Sequence, residues 1–456
     1  MITKDKRAKL MKEEKIGKLL WKLSIPAIIA MLINAVYNVA DTLFIGMLNN
    51  TSAIGAISIV FPIFMLIAAF GQLFGIGAAS YISRLLGNNY KIQADKTAST
   101  TFFTSLFLGI IISILGVIFI EPILNIFGAT DSIMIYAQEY GLILFAGSFI
   151  TIVNMTLNNM IRAEGNAKFS MYSIMLGAGL NILLDPLFIF TFNMGIKGAA
   201  VATVLAQSVS FIFFLHYYFS EKSIVNISWN LFSFSKKIYS QVIKIGLATF
   251  SKQALASIAV GMINSAASNY GDAAIASIGI TLRVITMFLY VLMGYFQGFQ
   301  PIAGYNYGAE MFDRLQEVIK ISLKRTTVFM TISTLFMFLF ANQIILLFSN
   351  DPDVLSIGTK AIRTIIVFFP FLGFQMLYIV LFQALGRGKE AFILSVARQG
   401  LFLIPAILIL PQFFGLNGVI MSQPVADFLT IIITSFFAFK LHQKIFDNDN
   451  EANVLI

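Results

Sequence analysis

Two aspartates, Asp41 and Asp185, lie within long apolar stretches of the chain, and the half that holds them offers no basic residue at a similar predicted depth. A single charge at the centre of a lipid bilayer costs about 2.5 to 3.5 kcal/mol on insertion scales, so chains retain such residues to handle an ion or a substrate. These two carboxylates are therefore the first candidates for a functional site.

Polar side chains at helical spacing precede the first aspartate. The stripe consists of Asn34, Tyr37, Asn38 and Asp41. Positions i, i+3, i+4 and i+7 share one face of a helix, so these four side chains form a polar stripe on an otherwise apolar segment. Such a stripe is expected to face protein or water and not lipid.

The second aspartate has neighbours of the same kind. Asn181 lies one helical turn before Asp185, and Thr203 lies one turn before Gln207. At ~1.5 Å per residue from the predicted outer helix ends, the two aspartates lie roughly 12 Å deep and Thr203 about 10 Å deep. Oxygen ligands of this kind suit Na⁺, and the carboxylates also accept protons. The alternative is that these groups only join helices by hydrogen bonds.

The predicted cation site therefore consists of Asp41, Asn181, Asp185 and Thr203. A second set of polar residues within apolar segments is predicted to line a substrate cavity, although each alone is equally typical of helix packing. That set is Asn34, Tyr37, Asn38, Asn154, Gln207, Gln297 and Gln300. No catalytic residues, no cofactor and no resident metal are expected. The coupling ion is expected to be H⁺ or Na⁺.

Composition places these residues in a membrane protein. Of 456 residues, 58% are hydrophobic and only 12% are charged, with a mean hydropathy of +0.84. A soluble domain cannot bury so much apolar surface. The apolar runs are continuous and not alternating, which predicts an all-α polytopic fold and excludes an outer-membrane barrel. The absence of cysteine excludes disulfides and thiolate metal sites.

The hydropathy pattern predicts twelve transmembrane helices, each long enough to cross the ~30 Å hydrocarbon core. The predicted ranges are 19–48, 53–86, 93–120, 133–162, 168–193, 196–220, 238–269, 273–307, 314–349, 354–385, 390–413 and 416–442.

Basic residues predict the orientation. They gather in the amino-terminal segment, in every second connection after it and near the carboxyl terminus, and 26 of the 31 Lys and Arg fall there. Arg398 is counted among the residues of one such connection. The positive-inside rule then places both termini in the cytoplasm. The predicted location is the inner (plasma) membrane. Basic residues spread over many loops do not indicate nucleic-acid binding. The protein is expected to be a monomer.

A shift of 221 residues aligns the chain with itself. Matched positions recur in constant register over more than 110 residues, and the register continues after one deletion. The matches include Ala53/Ala274, Gly77/Gly298, Gly87/Gly308, Gly165/Gly386, Lys168/Lys389 and Gly195/Gly415. Six helices separate the copies, so we expect two parallel lobes related by a pseudo-two-fold axis.

This duplication predicts five segments. They are a basic cytoplasmic segment (1–18), a first lobe of helices 1–6 (19–220), a cytoplasmic linker (221–237), a second lobe of helices 7–12 (238–442) and a cytoplasmic tail (443–456).

The second lobe lacks the acid pair. Met262, Phe402 and Ala406 replace Asp41, Asn181 and Asp185. The second lobe does hold Asp427, with Arg283 and Arg363 at similar predicted depth, so a structural ion pair is expected there and a functional role is the alternative. Lys252 is expected to extend its side chain toward the cytoplasmic end of its helix.

Two prolines fall inside predicted helices. Pro26 and Pro301 lie in helices 1 and 8. Proline removes a helical hydrogen bond and favours a kink, so both positions are candidate hinges. A static kink filled by packing is the equally weighted alternative.

The whole chain resembles the multidrug and toxic compound extrusion (MATE) family. The resemblance rests on "SIPAIIAMLINAVYNVADTLFIG" (24–46), "GIGAASYISRLLG" (75–87), "RAEGNAKFSMYSIMLGAGLNILLDPLFIF" (162–190) and "GIKGAAVATVLAQ" (195–207). It implies cation-coupled export of amphiphilic, often cationic drugs or toxic compounds by two lobes that rock around a central cavity.

The resemblance also implies roles for individual residues. Members of the archaeal and DinF-like kind use an aspartate on helix 1 and an Asn/Asp pair on helix 5, which match Asp41, Asn181 and Asp185. Members of the NorM-like kind also use acids on helices 7 and 10, and this chain has none in the core of either helix.

Two other functions compete with this interpretation. A flippase for lipid-linked oligosaccharide or lipid belongs to the same superfamily, although such proteins usually have extra helices and a more cationic cavity. A membrane enzyme is disfavoured because there is no HExxH motif, and His216 and His442 are the only histidines. No Ser, His and acid set lies at one predicted depth.

Overall fold

The computed structural model describes residues 10–48, 51–220 and 222–443, without the side chains of Asn38, Val39, Thr42, Thr51, Ile54 and Ser132 and without the exposure of Gly46. Each continuous apolar run forms a helix. The first six are α1 (Ile16–Gly46), α2 (Thr51–Gly87), α3 (Lys91–Ile118), α4 (Asp131–Ala146 and Ser148–Ala163), α5 (Ala167–Pro186, continued as a π-helix over Leu187–Thr191) and α6 (Gly195–Phe219).

The second six repeat this order. They are α7 (Lys236–Ser268), α8 (Asp272–Gly308), α9 (Phe312–Leu339), α10 (Pro352–Ile365, Ile366–Phe371 and Leu372–Ala384), α11 (Gly388–Val396, a π-helical segment Ala397–Leu403 and Ile404–Phe414) and α12 (Leu416–His442). Short helices at Ile120–Ile126 and Ala341–Leu346 follow α3 and α9 at equivalent places.

Ten of these helices are long and apolar enough to cross a membrane, and the two halves of α4, which meet at an angle of 48°, form an eleventh span. The bend lies at Gly147, where a Cβ would collide with the side chain of Val204 on α6. The remaining helix, α9, carries several charges in its first half. The predicted all-helical fold of twelve helices in two lobes is confirmed.

The internal repeat is visible in the backbone. Gly165 and Gly386 occupy equivalent positions after α4 and α10, and they have φ angles of +78° and +77°. Asn89 and Glu310, also 221 residues apart, have φ angles of +59° and +57°. Left-handed backbone is unfavourable for residues with a Cβ, so its recurrence at matched non-glycine positions reflects a duplicated turn.

The two lobes meet near one end of the bundle. This end, here called the basic face, holds the start of α1, the α2–α3, α4–α5, α8–α9 and α10–α11 turns and the end of α12. We call the opposite end the open face. A Cβ at Gly77 would collide with the backbone of Val242, and one at Gly246 with that of Leu73. Glycines at these crossings therefore let α2 and α7 pack backbone to backbone.

Several polar contacts between the lobes lie in this half of the bundle. The hydroxyl of Ser24 donates to the carbonyl of Tyr295 (2.9 Å), and Nη2 of Arg84 donates to Oε1 of Gln241 (3.0 Å). The guanidinium of Arg325 lies 4.7 Å from the ring centroid of Trp21. The basic face is thus closed by direct contact between lobes.

The apolar cores show the same difference between the two ends. Two clusters of buried residues combine side chains from both lobes near the basic face, such as Leu20 with Phe299 and Ile82 with Val242, and the first of them continues through the second lobe as far as Val354. Toward the open face, one cluster contains first-lobe residues only and another second-lobe residues only. The lobes therefore pack as one body at the basic face and as separate bodies at the open face.

Both candidate hinge prolines lie inside unbroken helices. Pro26 lies within Ile16–Gly46 and Pro301 within Asp272–Gly308. Both lie in the half of the bundle where the lobes touch: Gly298, one turn before Pro301, packs directly on Ser24. A hinge at either proline stays a prediction.

Candidate cation site

The second aspartate of the first lobe is fully buried where α5 passes into its π-helical segment. Asp185 has none of its surface exposed, and Asn181 keeps 2%. Nδ2 of Asn181 donates to Oδ1 of Asp185 (3.1 Å) and lies 3.4 Å from the hydroxyl oxygen of Thr203 on α6. The three residues that were predicted from helical spacing therefore form one cluster between α5 and α6.

Helix α1 brings the first aspartate to this cluster. It packs along α5, and Asp41 lies within electrostatic range of Asp185. The phenol of Tyr37, one turn before Asp41, lies close to the side chain of Thr203. The structure thus brings together all four residues of the predicted cation site.

Three oxygen atoms of the cluster lack hydrogen-bond donors. They are Oδ1 of Asp41, Oδ1 of Asn181 and Oδ2 of Asp185, each buried and without a partner among the described residues. A buried polar oxygen without a partner costs roughly 1 to 3 kcal/mol, and a charged one costs more. Such oxygens are satisfied by a bound cation or, on the carboxylates, by a proton.

A fifth residue joins the cluster from α4. Tyr140 keeps 7% of its surface exposed and lies within electrostatic range of Asp41, Tyr37 and Asp185. Sequence reasoning missed it because a single tyrosine in an apolar helix belongs to no polar stripe. Only the folded chain, in which the first half of α4 packs on α2 and α6, brings Tyr140 to this cluster.

A second polar layer follows along α6, one turn from Thr203. The hydroxyl of Thr151 donates to Oε1 of Gln207 (2.6 Å), and Nδ2 of Asn154 donates to the Gln207 carbonyl (2.9 Å). Asn154 and Gln207 had been assigned to the substrate set, and the structure places them side by side next to the cation cluster. Oδ1 of Asn154 is buried and has no partner in the described part of the chain.

Gln297 and Gln300, the predicted substrate residues of the second lobe, lie apart from this cluster. Nε2 of Gln297 contacts the sulfur of Met31 (3.4 Å), ten residues before Asp41 and therefore ~15 Å away along α1. Gln300, one turn further along α8, is buried. Asn34 is half-buried on α1, and the side chain of Asn38 lies outside the described residues. The structure therefore does not unite the predicted substrate set in one place.

The second lobe holds an ion pair at its polar centre. Asp427 is fully buried; Nε of Arg398 donates to its Oδ1 (2.6 Å), and Nη2 lies 3.5 Å from Oδ2. The expectation that Arg283 or Arg363 would neutralise this carboxylate is wrong: Arg283 is exposed, and Arg363 lies over the ring of Phe338.

Arg398 was wrongly assigned to a basic connection. It lies ten residues into α11, within the π-helical segment Ala397–Leu403, so its side chain reaches Asp427 inside the lobe. The expectation for Lys252 is also wrong. It lies at the midpoint of Lys236–Ser268 and within electrostatic range of Arg398, too deep to extend to the basic face.

The polar centres of the two lobes share one backbone scaffold. Asn154 and Gln375 are equivalent under the repeat, as are Gln207 and Asp427. Nδ2 of Asn154 donates to the Gln207 carbonyl at 2.9 Å, and Nε2 of Gln375 donates to the Asp427 carbonyl, also at 2.9 Å. The duplication therefore retained the contact between the fourth and sixth helix of each lobe while the charges around it diverged.

A protein-family model matches each of the two lobes separately. The model of the MatE family matches residues 26–187 and again 249–409. The chain is 30% identical over 442 residues to the multidrug export protein MepA of Staphylococcus haemolyticus, covering 97% of each chain.

Two solved structures share the whole fold. One is described as the outward-facing conformation of a multidrug resistance MATE family transporter of the MOP superfamily; it is 28% identical, with a TM-score of 0.90 over 95% of this chain and 98% of that one. The other, a MATE in the bent conformation, is 29% identical, with a TM-score of 0.91 over 97% and 99% of the two chains.

Proposed function

The chain belongs to the MatE (multidrug and toxic compound extrusion) family, and from this premise we propose that it exports amphiphilic, often cationic compounds in exchange for H⁺ or Na⁺. Membership of this family supports a multi-pass membrane transporter of small molecules and a non-enzymatic role. The observation that supports coupling to a cation is the cluster of Asp41, Asn181 and Asp185, each with a buried oxygen that lacks a donor.

The chemistry of the cluster suits both candidate ions. Carboxylate, amide and hydroxyl oxygens from α1, α5 and α6 are the ligands that Na⁺ prefers, and two carboxylates in mutual range favour uptake of at least one proton. Either ion lowers the negative charge between the three helices. The hydrogen bond from Asn181 to Thr203 joins α5 to α6, and Tyr37 brings α1 close to the same threonine.

Coupling requires that the ion and the exported compound favour different arrangements of the lobes. A ligand shifts a conformational equilibrium only by its differential affinity for the two states. In the arrangement described here the lobes touch at the basic face and separate at the open face, which holds the Asp41 cluster. Alternating access would then break the Ser24–Tyr295 and Arg84–Gln241 contacts and close the opposite end, with bending of α1 near Pro26 as one route.

The orientation follows from the basic residues. We place the basic face and both termini in the cytoplasm of the plasma membrane, because Lys and Arg dominate the connections at that face. The open face then lies outside the cell. An external ion enters the first lobe from that side, and a compound bound from the cytoplasm leaves by the same opening. The protein is proposed to act as a monomer, since each chain contains both lobes.

Transport in proteoliposomes tests this proposal. Purified protein is reconstituted, and efflux of a cationic dye is followed under a Na⁺ gradient alone, a pH gradient alone and neither. We expect dye movement against its gradient under at least one imposed gradient, and none in vesicles that contain the Asp41→Asn variant. Dye movement independent of both gradients would contradict coupling, and turnover of a labelled lipid-linked sugar in its place would favour the flippase.

A further inference from the structure

The second lobe carries an unbalanced positive charge at mid-depth. Lys252 lies sixteen residues from each end of the helix Lys236–Ser268, or ~24 Å from either end at the rise of an α-helix. A lysine side chain spans only a fraction of that distance, so its ammonium stays inside the bundle. An intramembrane cation is costly and marks a functional site unless it is paired.

The one carboxylate nearby already has a partner. Asp427 accepts hydrogen bonds from Nε and Nη2 of Arg398 and from Nε2 of Gln423 (3.3 Å). Lys252 lies in electrostatic range of Arg398, and no acid pairs with Lys252 within the described residues. Two cations therefore share one anion, and the group carries one net positive charge.

The cations are more accessible than the acid. Asp427 is fully buried, whereas the side chain of Arg398 keeps 20% of its surface exposed and Lys252 is half-buried. The ion pair uses Nε and Nη2 of Arg398 and leaves its Nη1 without a hydrogen bond in the described part of the chain. The buried carboxylate thus fixes the direction of the guanidinium, and the free donors of Arg398 and Lys252 remain available to a ligand.

The surroundings of Lys252 exclude lipid as its counter-charge. Ala248 and Ala259, one turn before and two turns after it on the same side of α7, are fully buried, and Leu255 packs on Gly400 of α11. Lys252 therefore points into the lobe, toward α11 and α12, at a depth that phosphate headgroups do not reach. An anion that approaches Lys252 must come from the space between the lobes.

We propose that Lys252 and Arg398 form a subsite for the anionic group, a carboxylate or sulfonate, of an exported amphiphile. An organic anion placed between the ammonium and Nη1 of Arg398 would neutralise the excess charge through charge-assisted hydrogen bonds. The transporter would then accept zwitterionic amphiphiles, with the anionic end in the second lobe and the cationic end toward the acids of the first. This inference rests on the proposed export function and specifies its substrate class.

Binding of a matched dye pair to purified protein in detergent tests the subsite. The probes are the free-acid and methyl-ester forms of one rhodamine dye, which differ only in the carboxylate. We expect Lys252→Met to weaken binding of the free acid about tenfold, the effect of ~1.4 kcal/mol, and of the ester less than about twofold. Lys252→Arg should retain selectivity for the acid. Lys440→Met, at the exposed end of α12, should change neither affinity.

The wild-type protein provides a second measurement that does not depend on a variant. A naphthalene sulfonate, which has no cationic group, should displace the free acid and leave the ester bound. Equal weakening of both dyes by Lys252→Met, or equal displacement of both by the sulfonate, would overturn the subsite. So would loss of the acid–ester difference on replacing gluconate with chloride, since a small inorganic anion would then be the occupant.

Comparison of dye binding in detergent with dye export from proteoliposomes separates this inference from the export function. If vesicles export the ester under an ion gradient but the protein does not distinguish acid from ester, only the anion subsite fails. If neither dye is bound or exported, the proposed function itself fails.

Discussion

The two lobes repeat one scaffold and use it for different electrostatics. Equivalent residues make equivalent contacts, as in the pairs Asn154–Gln207 and Gln375–Asp427. The first lobe places two carboxylates around this scaffold with buried oxygens unsatisfied, whereas the second satisfies the buried carboxylate of Asp427 with Arg398. Helix packing can thus be retained through a duplication while the charges of each copy take separate roles.

The two sites differ in whether their carboxylate oxygens already have partners within the protein. A buried ion pair with good geometry is costly to break but has little reason to bind a further cation. Carboxylates whose oxygens have no donor gain from every cation or proton that reaches them. We therefore propose that ion coupling belongs to the first lobe alone.

The largest expected effect is loss of the acids of the first lobe. Asp41→Asn or Asp185→Asn should abolish gradient-driven dye efflux, because an amide neither takes up a proton nor supplies anionic charge to Na⁺. Expression and thermal stability should stay close to wild type, since the replacement is isosteric. Efflux from proteoliposomes and the melting temperature are the measurements. If both variants pumped dye at the wild-type rate, the coupling site would have to lie elsewhere.

How far the sequence predicts these features depends on the kind of signal. Apolar runs and the register of the repeat extend over many residues, so the predicted helix ends agree closely with the structure. For α7 the prediction is 238–269 and the helix spans Lys236–Ser268. The grouping of Asp41 with Asn181 and Asp185 followed from depth along three helices. Counting residues gives the depth of a side chain but not the direction in which it points.

The partner of Asp427 shows where such counting fails. Predicted depth favours Arg283 and Arg363, yet their side chains point away from Asp427. The preceding Arg387 and Lys389 favour a place for Arg398 in the basic connection. The predicted helix at 390–413 already contains Arg398, but the direction of its side chain toward Asp427 depends on a π-helical segment, for which the sequence has no clear signature. Tyr140 was missed because nothing in its own helix marks it.

The second-largest effect should come from breaking the ion pair of the second lobe. Asp427→Asn leaves Arg398 as a buried charge without its partner, beside Lys252, and should destabilise the protein by about 3 to 5 kcal/mol. The measurement is the melting temperature in detergent, with Asp427→Asn plus Arg398→Gln as the matched control that should recover part of the loss. Normal thermal stability together with lost coupling would instead make Asp427 a second ion or substrate site.

A smaller effect is expected on dye affinity as the ion concentration changes. Protons or Na⁺ at Asp41 and Asp185 remove the negative charge that attracts a cationic dye, so affinity should fall as pH falls or Na⁺ rises. Coupling free energies of about 1 to 3 kcal/mol correspond to about 5- to 150-fold, and the dye must weaken ion binding by the same factor.

Titrations in detergent between about pH 5.5 and 8, with and without Na⁺, measure this linkage. Lys252→Met should retain it, and Asp185→Asn should remove much of it. Dye affinity that responds to neither pH nor Na⁺ would contradict antiport and favour a flippase.

The smallest expected effect tests Tyr140, the member of the cation cluster that sequence reasoning missed. Tyr140→Phe keeps the buried ring and removes only the hydroxyl, so the fold should persist while ion affinity falls about 3- to 10-fold, as expected for one hydrogen bond. The matched control is Tyr378→Phe in the second lobe, where the phenol pairs with His442 (2.8 Å) near the basic face. Ion affinity is read from the Na⁺ or proton concentration that halves dye binding. Equal effects of the two substitutions would mean that Tyr140 acts through general packing. That result would weaken the contrast between the ion-binding first lobe and the second lobe.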